Sequence, residues 1–447
     1  MARGAGPGRL SLSKPERSLN REILALAIPA FATLIAEPLL VLADTFIVGH
    51  LGTPHLGGLT LASNVVGVVV GLSVFLAYGT TAMVSRRLGA GDKAGALASG
   101  IDGMVLGALL GLVIAAVLGP FAPAVIGLYG ATAEVTALGA TYLRIVALGF
   151  PALLVILAST GVLRGLQDTR TPLRVVVTIN LLNIALNVAL VYGAGWGVAG
   201  AAAGTALAQW VGALLLGGAV VRGARREGVR LRFAPAGVLA AARLGGWLVV
   251  RNAALQAALV MTTLTAASLG TTALAAHQVV NTLWHTIAYG VDAFAIAAQA
   301  LVGLRLGAGD VRGARGVLGR VMLWGVGFGV VVGLGLVLTG GLLAGAFSPD
   351  PAVQDAAGPA LLVLAVLAPI GAIAFQLDGV LIGAGDARFL ALAGIAATLG
   401  YAPFVGAVWL TGAGLAWLWS AYGVWLVLRS LLLGWRTRGD AWARTGA

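Results

Sequence analysis

Two carboxylates, Glu37 and Asp44, stand inside an apolar run that extends from about Ile23 to Gly49. A run of that length spans a bilayer as a helix. A charge at membrane depth is costly, so an acid placed there faces protein or water and has a task. The two acids are seven residues apart, which puts them about 20° apart around a helix and hence on one face. Pro29 and Pro38 lie in the same helix; each removes a backbone hydrogen bond and favours a kink. A bent helix with two acids on one face suits the uptake and release of a cation better than lipid anchoring. The plainer reading is a pair of acids held by static hydrogen bonds.

The rest of the chain must place that helix in a membrane. Of 447 residues 59% are hydrophobic and 10% are charged, against about 25% charged in soluble domains. The expected fold is therefore all-α and polytopic, with twelve apolar spans between residues 23 and 434. The net charge of +12 does not point to nucleic acid. Lys and Arg fall on alternate connections and in the tails, which predicts cytoplasmic termini. Only Arg144 and Arg251 are counted within spans. There is no cysteine, so disulfides and thiolate metal sites are excluded. The 26 Arg against 2 Lys, with abundant Ala and Gly, suit a GC-rich bacterial genome and a bacterial inner (plasma) membrane.

The chain repeats itself. Arg87-Leu-Gly-Ala-Gly-Asp92 recurs as Arg305-Leu-Gly-Ala-Gly-Asp310, and Leu51-Gly-Thr53 recurs as Leu269-Gly-Thr271, both at an offset of 218. Two six-span halves of the same orientation follow, related by a pseudo-twofold axis along the membrane normal. The expected organisation is a cytoplasmic tail (1–22), an N-terminal lobe (23–221), a basic linker (222–242), a C-terminal lobe (243–434) and a second tail (435–447). The glycine-rich turns lack the Gly-Lys-Ser/Thr ending of a phosphate loop and read as tight turns.

Depth along the spans groups Asp44 with Asn183 and Asn187 in the fifth span, Asn64 in the second, and Thr205 and Gln209 in the sixth. These predict one polar cavity in the outer half of the first lobe. The offset puts Thr262 where Asp44 stands, so the outer acid is not duplicated. The second lobe carries His277, Asn281, His285, Asp292 and Gln299 on one stripe, with Arg251, Asn252 and Gln256 before it and Gln376 and Asp378 after it. Asn281, His285 and Gln256 are expected to line the substrate cavity. Arg251 is expected to pair with Asp292 or Asp378. His277 and His285 have helical metal-ligand spacing but no third ligand, so neither a metal nor any cofactor is expected.

Asp44-Thr-Phe-Ile-Val-Gly-His-Leu-Gly52, the repeated Arg-Leu-Gly-Ala-Gly-Asp turns, Leu163-Arg-Gly-Leu-Gln-Asp-Thr169 and the two-by-six layout resemble the multidrug and toxic compound extrusion (MATE) transporters. Ala275-Ala-His-Gln-Val279 and Leu377-Asp-Gly-Val-Leu-Ile-Gly383 resemble the DinF-like branch. The resemblance implies a non-enzymatic, cation-coupled antiporter exporting small amphipathic, cationic compounds by alternating access, as a monomer. It implies that Asp44, with Asn183 and Asn187, binds the coupling cation, and that bending near Pro29 accompanies protonation. Asn187 and Gln256 stand where relatives often have acids, which favours H⁺ over Na⁺. Glu37 is a relay at most. The alternatives are an Na⁺-coupled exporter and a lipid-linked oligosaccharide flippase of related architecture.

Overall fold

The computed structural model describes residues 16–230 and 234–446; part of the expected N-terminal tail and of the basic linker therefore lies outside the described residues. Helix α1 is Glu16–Gly49. Helix α2 runs over Thr53–Ser73 and Phe75–Gly89 with one irregular residue, Val74, between. Helix α3 is Lys93–Gly127, and α4 comprises Ala133–Ala147 and Phe150–Gly165. Helix α5, Arg170–Val188, ends in a π turn, Ala189–Gly193. Helix α6 is Gly197–Arg226, α7 Pro235–Ser268 and α8 Thr271–Gly307. The chain continues with α9 Val311–Phe347, α10 Pro351–Gly383, α11 Ala387–Thr411 and α12 Leu415–Arg438. Eleven of these are long and apolar enough to cross a membrane, and the two parts of α4, bent by 53°, make a twelfth. Among the described residues there is no strand.

The offset of 218 carries every helix of the first lobe onto one of the second, with α2 (53–89) on α8 (271–307) and α4 (133–165) on α10 (351–383) matching end to end. The repeated turns share one geometry. Gly91 and Gly309 take φ of 80° and 77°, where a side chain would be strained. Asp92 then caps α3 by accepting the Gly95 N–H at 2.7 Å, and Asp310 caps α9 by accepting the Gly313 N–H at 2.8 Å. Gln167 (φ 66°) occupies the position equivalent to Gly385 (φ 76°) and is the one non-glycine residue with positive φ among the described residues.

The helices outrun the apolar spans. Helix α1 begins within the expected tail, and the expected 222–242 linker is largely the ends of α6 and α7. Hydropathy marks only the lipid-facing part of a helix. Its polar ends continue into water, where long Arg side chains are solvated. After α12 the chain folds back: Trp442 is buried, and Arg86 of α2 donates to the carbonyls of Arg444 and Gly446.

The kink expected in α1 is not a break in the helix, which is continuous through Pro29 and Pro38. Pro29 has no N–H for the Ala25 carbonyl, and the Thr169 hydroxyl donates to that oxygen at 3.4 Å instead. The sharp bend lies in α4, at Leu148-Gly149 just before Pro151.

The lobes meet toward the end that carries the repeated turns. A shared apolar core there joins Ile23 and Leu26 of α1, Phe75 and Leu76 of α2, Leu301 and Leu306 of α8 and Val380 of α10. Gly89 and Gly307 let backbones touch: a Cβ on either would lie 2.0 Å from the Leu304 carbonyl or 1.9 Å from the Arg86 carbonyl. The Arg86 guanidinium donates to the Ala384 carbonyl at 2.7 Å, and the Gln167 amide to the Ala300 carbonyl at 3.1 Å. These contacts close the interlobe seam at that end.

Candidate functional site

A cavity of about 350 Å³ lies almost wholly within the first lobe. Thr33, Glu37, Val41 and Asp44 of α1 form one wall, with the three-and-four spacing of a single helical face. The two acids thus share a face, as their spacing requires. Helix α2 contributes Ser63, Gly67, Val70 and Tyr78; α4 contributes Tyr142, Ile156, Thr160 and Arg164; α5 and α6 contribute Asn180, Asn183, Thr205 and Gln209. Asp292 of α8 is the second lobe's contribution. The polar groups are set in a largely aliphatic surface, a composition suited to an amphipathic guest.

Asp44 is held by a directed chain of hydrogen bonds. The Asn187 amide group donates both of its hydrogens, one to Asp44 Oδ1 at 2.7 Å and one to Asn183 Oδ1 at 3.0 Å. Asn183 donates to Thr205 Oγ1 at 3.1 Å, and Thr205 donates to the Ala201 carbonyl at 3.0 Å. Asn183 and Asn187 are fully buried. One amide hydrogen, from Asn187, is donated to Asp44, which accepts as a carboxylate oxygen does, and the remaining donations run away from Asp44, through Asn183 and Thr205 to the Ala201 carbonyl. The other Asp44 oxygen has no hydrogen bond among the described residues. Gly204 makes the arrangement possible: a Cβ there would lie 2.1 Å from Asn187 Oδ1.

Other expectations divide. Thr205 and Gln209 line the cavity; Asn64 does not, because its neighbour Ser63 occupies the inward stripe of α2 and Asn64 is turned outward and exposed. Asn281, His285 and Gln256 are absent from the lining, to which α7 contributes nothing and α8 only Asp292; His285 and Gln256 are exposed. His277 packs on Trp419 and lies 3.3 Å from the Thr263 hydroxyl. Pro29 and Pro38 are inside α1 but outside the lining.

The second-lobe ion pair is Arg251 with Asp378, and it is a triad: Arg429 of α12 reaches the same Asp378 oxygen at 3.1 Å. Asp292 is not in it. Its carboxylate faces the cavity and accepts the Tyr78 hydroxyl at 3.5 Å. Arg429 lies within the last span and escaped the count of intramembrane cations. Arg164 was assigned to a connection, yet it sits in the last turn of α4, buried, with its side chain on the cavity. Tyr142, buried on the cavity wall, was also missed. The available signal was a polar group with helical spacing to apolar neighbours, at a span's end for Arg164 and within the span for Arg429 and Tyr142.

The pseudo-symmetry explains why one lobe has the cavity and the other does not. Asp44 and Asn183 correspond to Thr262 and Tyr401, whose hydroxyls lie 2.8 Å apart in a buried core. Asn180, which donates to the Ala36 carbonyl, corresponds to Thr398, which donates to the Ala254 carbonyl. Thr33 and Thr160, on the cavity wall, correspond to Arg251 and Asp378. The space open in the first lobe is filled by the ion triad in the second.

The MatE family model matches residues 29–189 and 248–406, once in each lobe. Protein DETOXIFICATION 44, chloroplastic, of Arabidopsis thaliana is 30% identical over 96% of this chain and 85% of its own length. DNA damage-inducible protein F of Escherichia coli is 29% identical over 95% of this chain and 94% of its own. A solved Vibrio cholerae MATE transporter, a mutant of VcmN, superposes with a TM-score of 0.87 at 20% identity, covering 96% of this chain and 99% of that one. With both halves matched and the fold shared end to end, this twelve-span chain belongs to the MatE family of membrane transporters.

Proposed function

We propose that the protein is a secondary active exporter that exchanges H⁺, taken up at Asp44, for small amphipathic compounds by alternating access. The observation that carries this reading is the Asp44 site: an acid on a cavity wall with one oxygen fixed by Asn187 and the other free. Burial disfavours a carboxylate's charged form, whereas hydrogen bonds donated to it favour that form. An acid between these opposing influences exchanges a proton without a large reorganisation. The group that meets Asp44 is the amide nitrogen of Asn187 rather than an oxygen ligand, which supports H⁺ over Na⁺ as the coupling ion. Glu37, on the same wall, can relay the proton and can meet the positive end of a substrate.

The basic turns support a cytoplasmic location for the closed end of the interlobe seam. On that reading the cavity is shut off from the cytoplasmic side. The proposed setting is a bacterial plasma membrane, with both termini cytoplasmic and a single chain sufficient for transport. The test is efflux from proteoliposomes under an imposed pH gradient, with and without Na⁺. Asp44→Asn keeps the side chain's shape and cannot release a proton. It should fold and lose proton-driven efflux, while Glu37→Gln retains a substantial part. Wild-type proton-coupled efflux by Asp44→Asn would overturn the reading.

A further inference from the structure

Arg164 lines the cavity as a cation whose guanidinium has no hydrogen-bond or ion-pair partner among the described residues. It is 7% exposed. Among the described residues its guanidinium donates no hydrogen bond, and no carboxylate lies within 4.0 Å of its nitrogens. The nearest candidate, Asp292, is coupled to it electrostatically but takes its one hydrogen bond from Tyr78. The other acids of the lining, Glu37 and Asp44, lie on α1, and Arg164 is the one cation in the lining. Buried polar groups are as a rule hydrogen-bonded, and a guanidinium carries five donors in a planar fork that matches a carboxylate or phosphate. Thr160, one helical turn before Arg164, adds a hydroxyl on the same wall. Leu153, Ile156, Leu157 and Ile179 supply apolar surface around them.

We propose that Arg164, with Thr160 beside it, is an oxyanion seat, so that the exported compounds carry a carboxylate or phosphate group on an apolar body. A compound that also carries a positive group would span the cavity, with its anion on Arg164 and its cation toward Glu37 or Asp44. The substrate class is then acidic or zwitterionic amphiphiles rather than simple lipophilic cations. This inference rests on the reading of the cavity as the substrate chamber.

The test is binding by the purified full chain in detergent, measured by isothermal titration calorimetry, with three probes of one apolar body: 1-naphthyl phosphate, 1-naphthoate and the uncharged 1-naphthylmethanol. A hydrogen-bonded charge pair corresponds to roughly tenfold to a hundredfold in affinity. The two oxyanions should therefore bind wild type at least tenfold tighter than the alcohol. Arg164→Gln should abolish that preference and leave the alcohol's affinity unchanged. Arg164→Lys keeps the charge without the fork and should retain only part of it, which covers the case in which Arg164→Gln fails to fold. Equal affinities in wild type, or a preference that survives either substitution undiminished, would overturn the assignment. Those results with Asp44-dependent efflux intact would remove the oxyanion seat alone. Loss of the Asp44 dependence with the oxyanion preference intact would remove the proton-coupling reading alone.

Discussion

Asp378→Asn should be the most destabilising single change in the Arg251–Asp378–Arg429 triad. The three side chains are 9%, 5% and 5% exposed, so none is relieved by water. The triad holds two cations and one acid, an imbalance that decides the order of effects. Breaking a buried pair costs about 3–5 kcal/mol, because the remaining charge is stranded. Asp378→Asn strands two guanidiniums at once and belongs at the top of that range. Arg429→Gln leaves a balanced Arg251–Asp378 pair. Its main loss is the contact of Arg429 with the Trp425 ring, 4.9 Å from the centroid, worth about 0.5–2 kcal/mol. Arg251→Gln falls between: Arg429 still neutralises Asp378, but Asn252 Oδ1 loses the donor it holds at 2.7 Å. The double change Arg251→Gln with Asp378→Asn strands one cation instead of two and should recover stability relative to Asp378→Asn alone. Thermal unfolding midpoints of the four variants in one detergent give the order directly. An Asp378→Asn midpoint at or above that of Arg429→Gln would refute the idea that charge imbalance governs this core.

Three further outcomes follow from particular contacts. Gly204→Ala must displace the Asn187 amide, so it should cut proton-driven efflux several-fold while the chain still elutes as a monodisperse species; unchanged efflux would show that the Asn187–Asp44 bond is dispensable. Gln167→Gly and Gln167→Ala both lose the bond to Ala300, but only glycine relaxes the φ of 66°, so the glycine variant should be more stable than the alanine variant by about 1 kcal/mol, read from their unfolding midpoints. Reporter fusions should place the Arg222–Arg226 segment in the cytoplasm and Gly130 outside; the reverse would overturn the orientation drawn from the basic turns.

The helical layout was legible because its signals are local: apolar length, charge-free connections and a repeat at constant offset. Helix ends were not, because α1, α6 and α7 extend beyond the apolar run into polar sequence that hydropathy ignores. At the site, Asp44, Asn183 and Asn187 could be grouped because depth along three spans is nearly one-dimensional information. Asn64 could not be placed, because a shift of one residue turns a side chain by about 100° around the helix, and only packing decides between Ser63 and Asn64. Arg164 escaped because a residue in the last turn of a span reads as a loop residue until the neighbouring helices show which way it points. Arg429 and Tyr142 lie inside their helices, and there only packing shows which face each turns inward.

The filled second lobe shapes how this chain can change over generations. In the first lobe the walls around Asp44 include aliphatic positions with open space before them, where an exchange of Leu, Ile or Val alters volume without stranding a charge. Selection for a new compound has room to act there. In the second lobe the positions matching Thr33 and Thr160 are locked into a charged core, and most single substitutions are expected to cost folding before they alter specificity. The two halves of one repeat thus differ, one holding a cavity that substitution can reshape and the other a charged core that resists it. Variants with altered substrate range should therefore accumulate in α1, α2, α4, α5 and α6, and a library restricted to their cavity-facing positions should recover most of them.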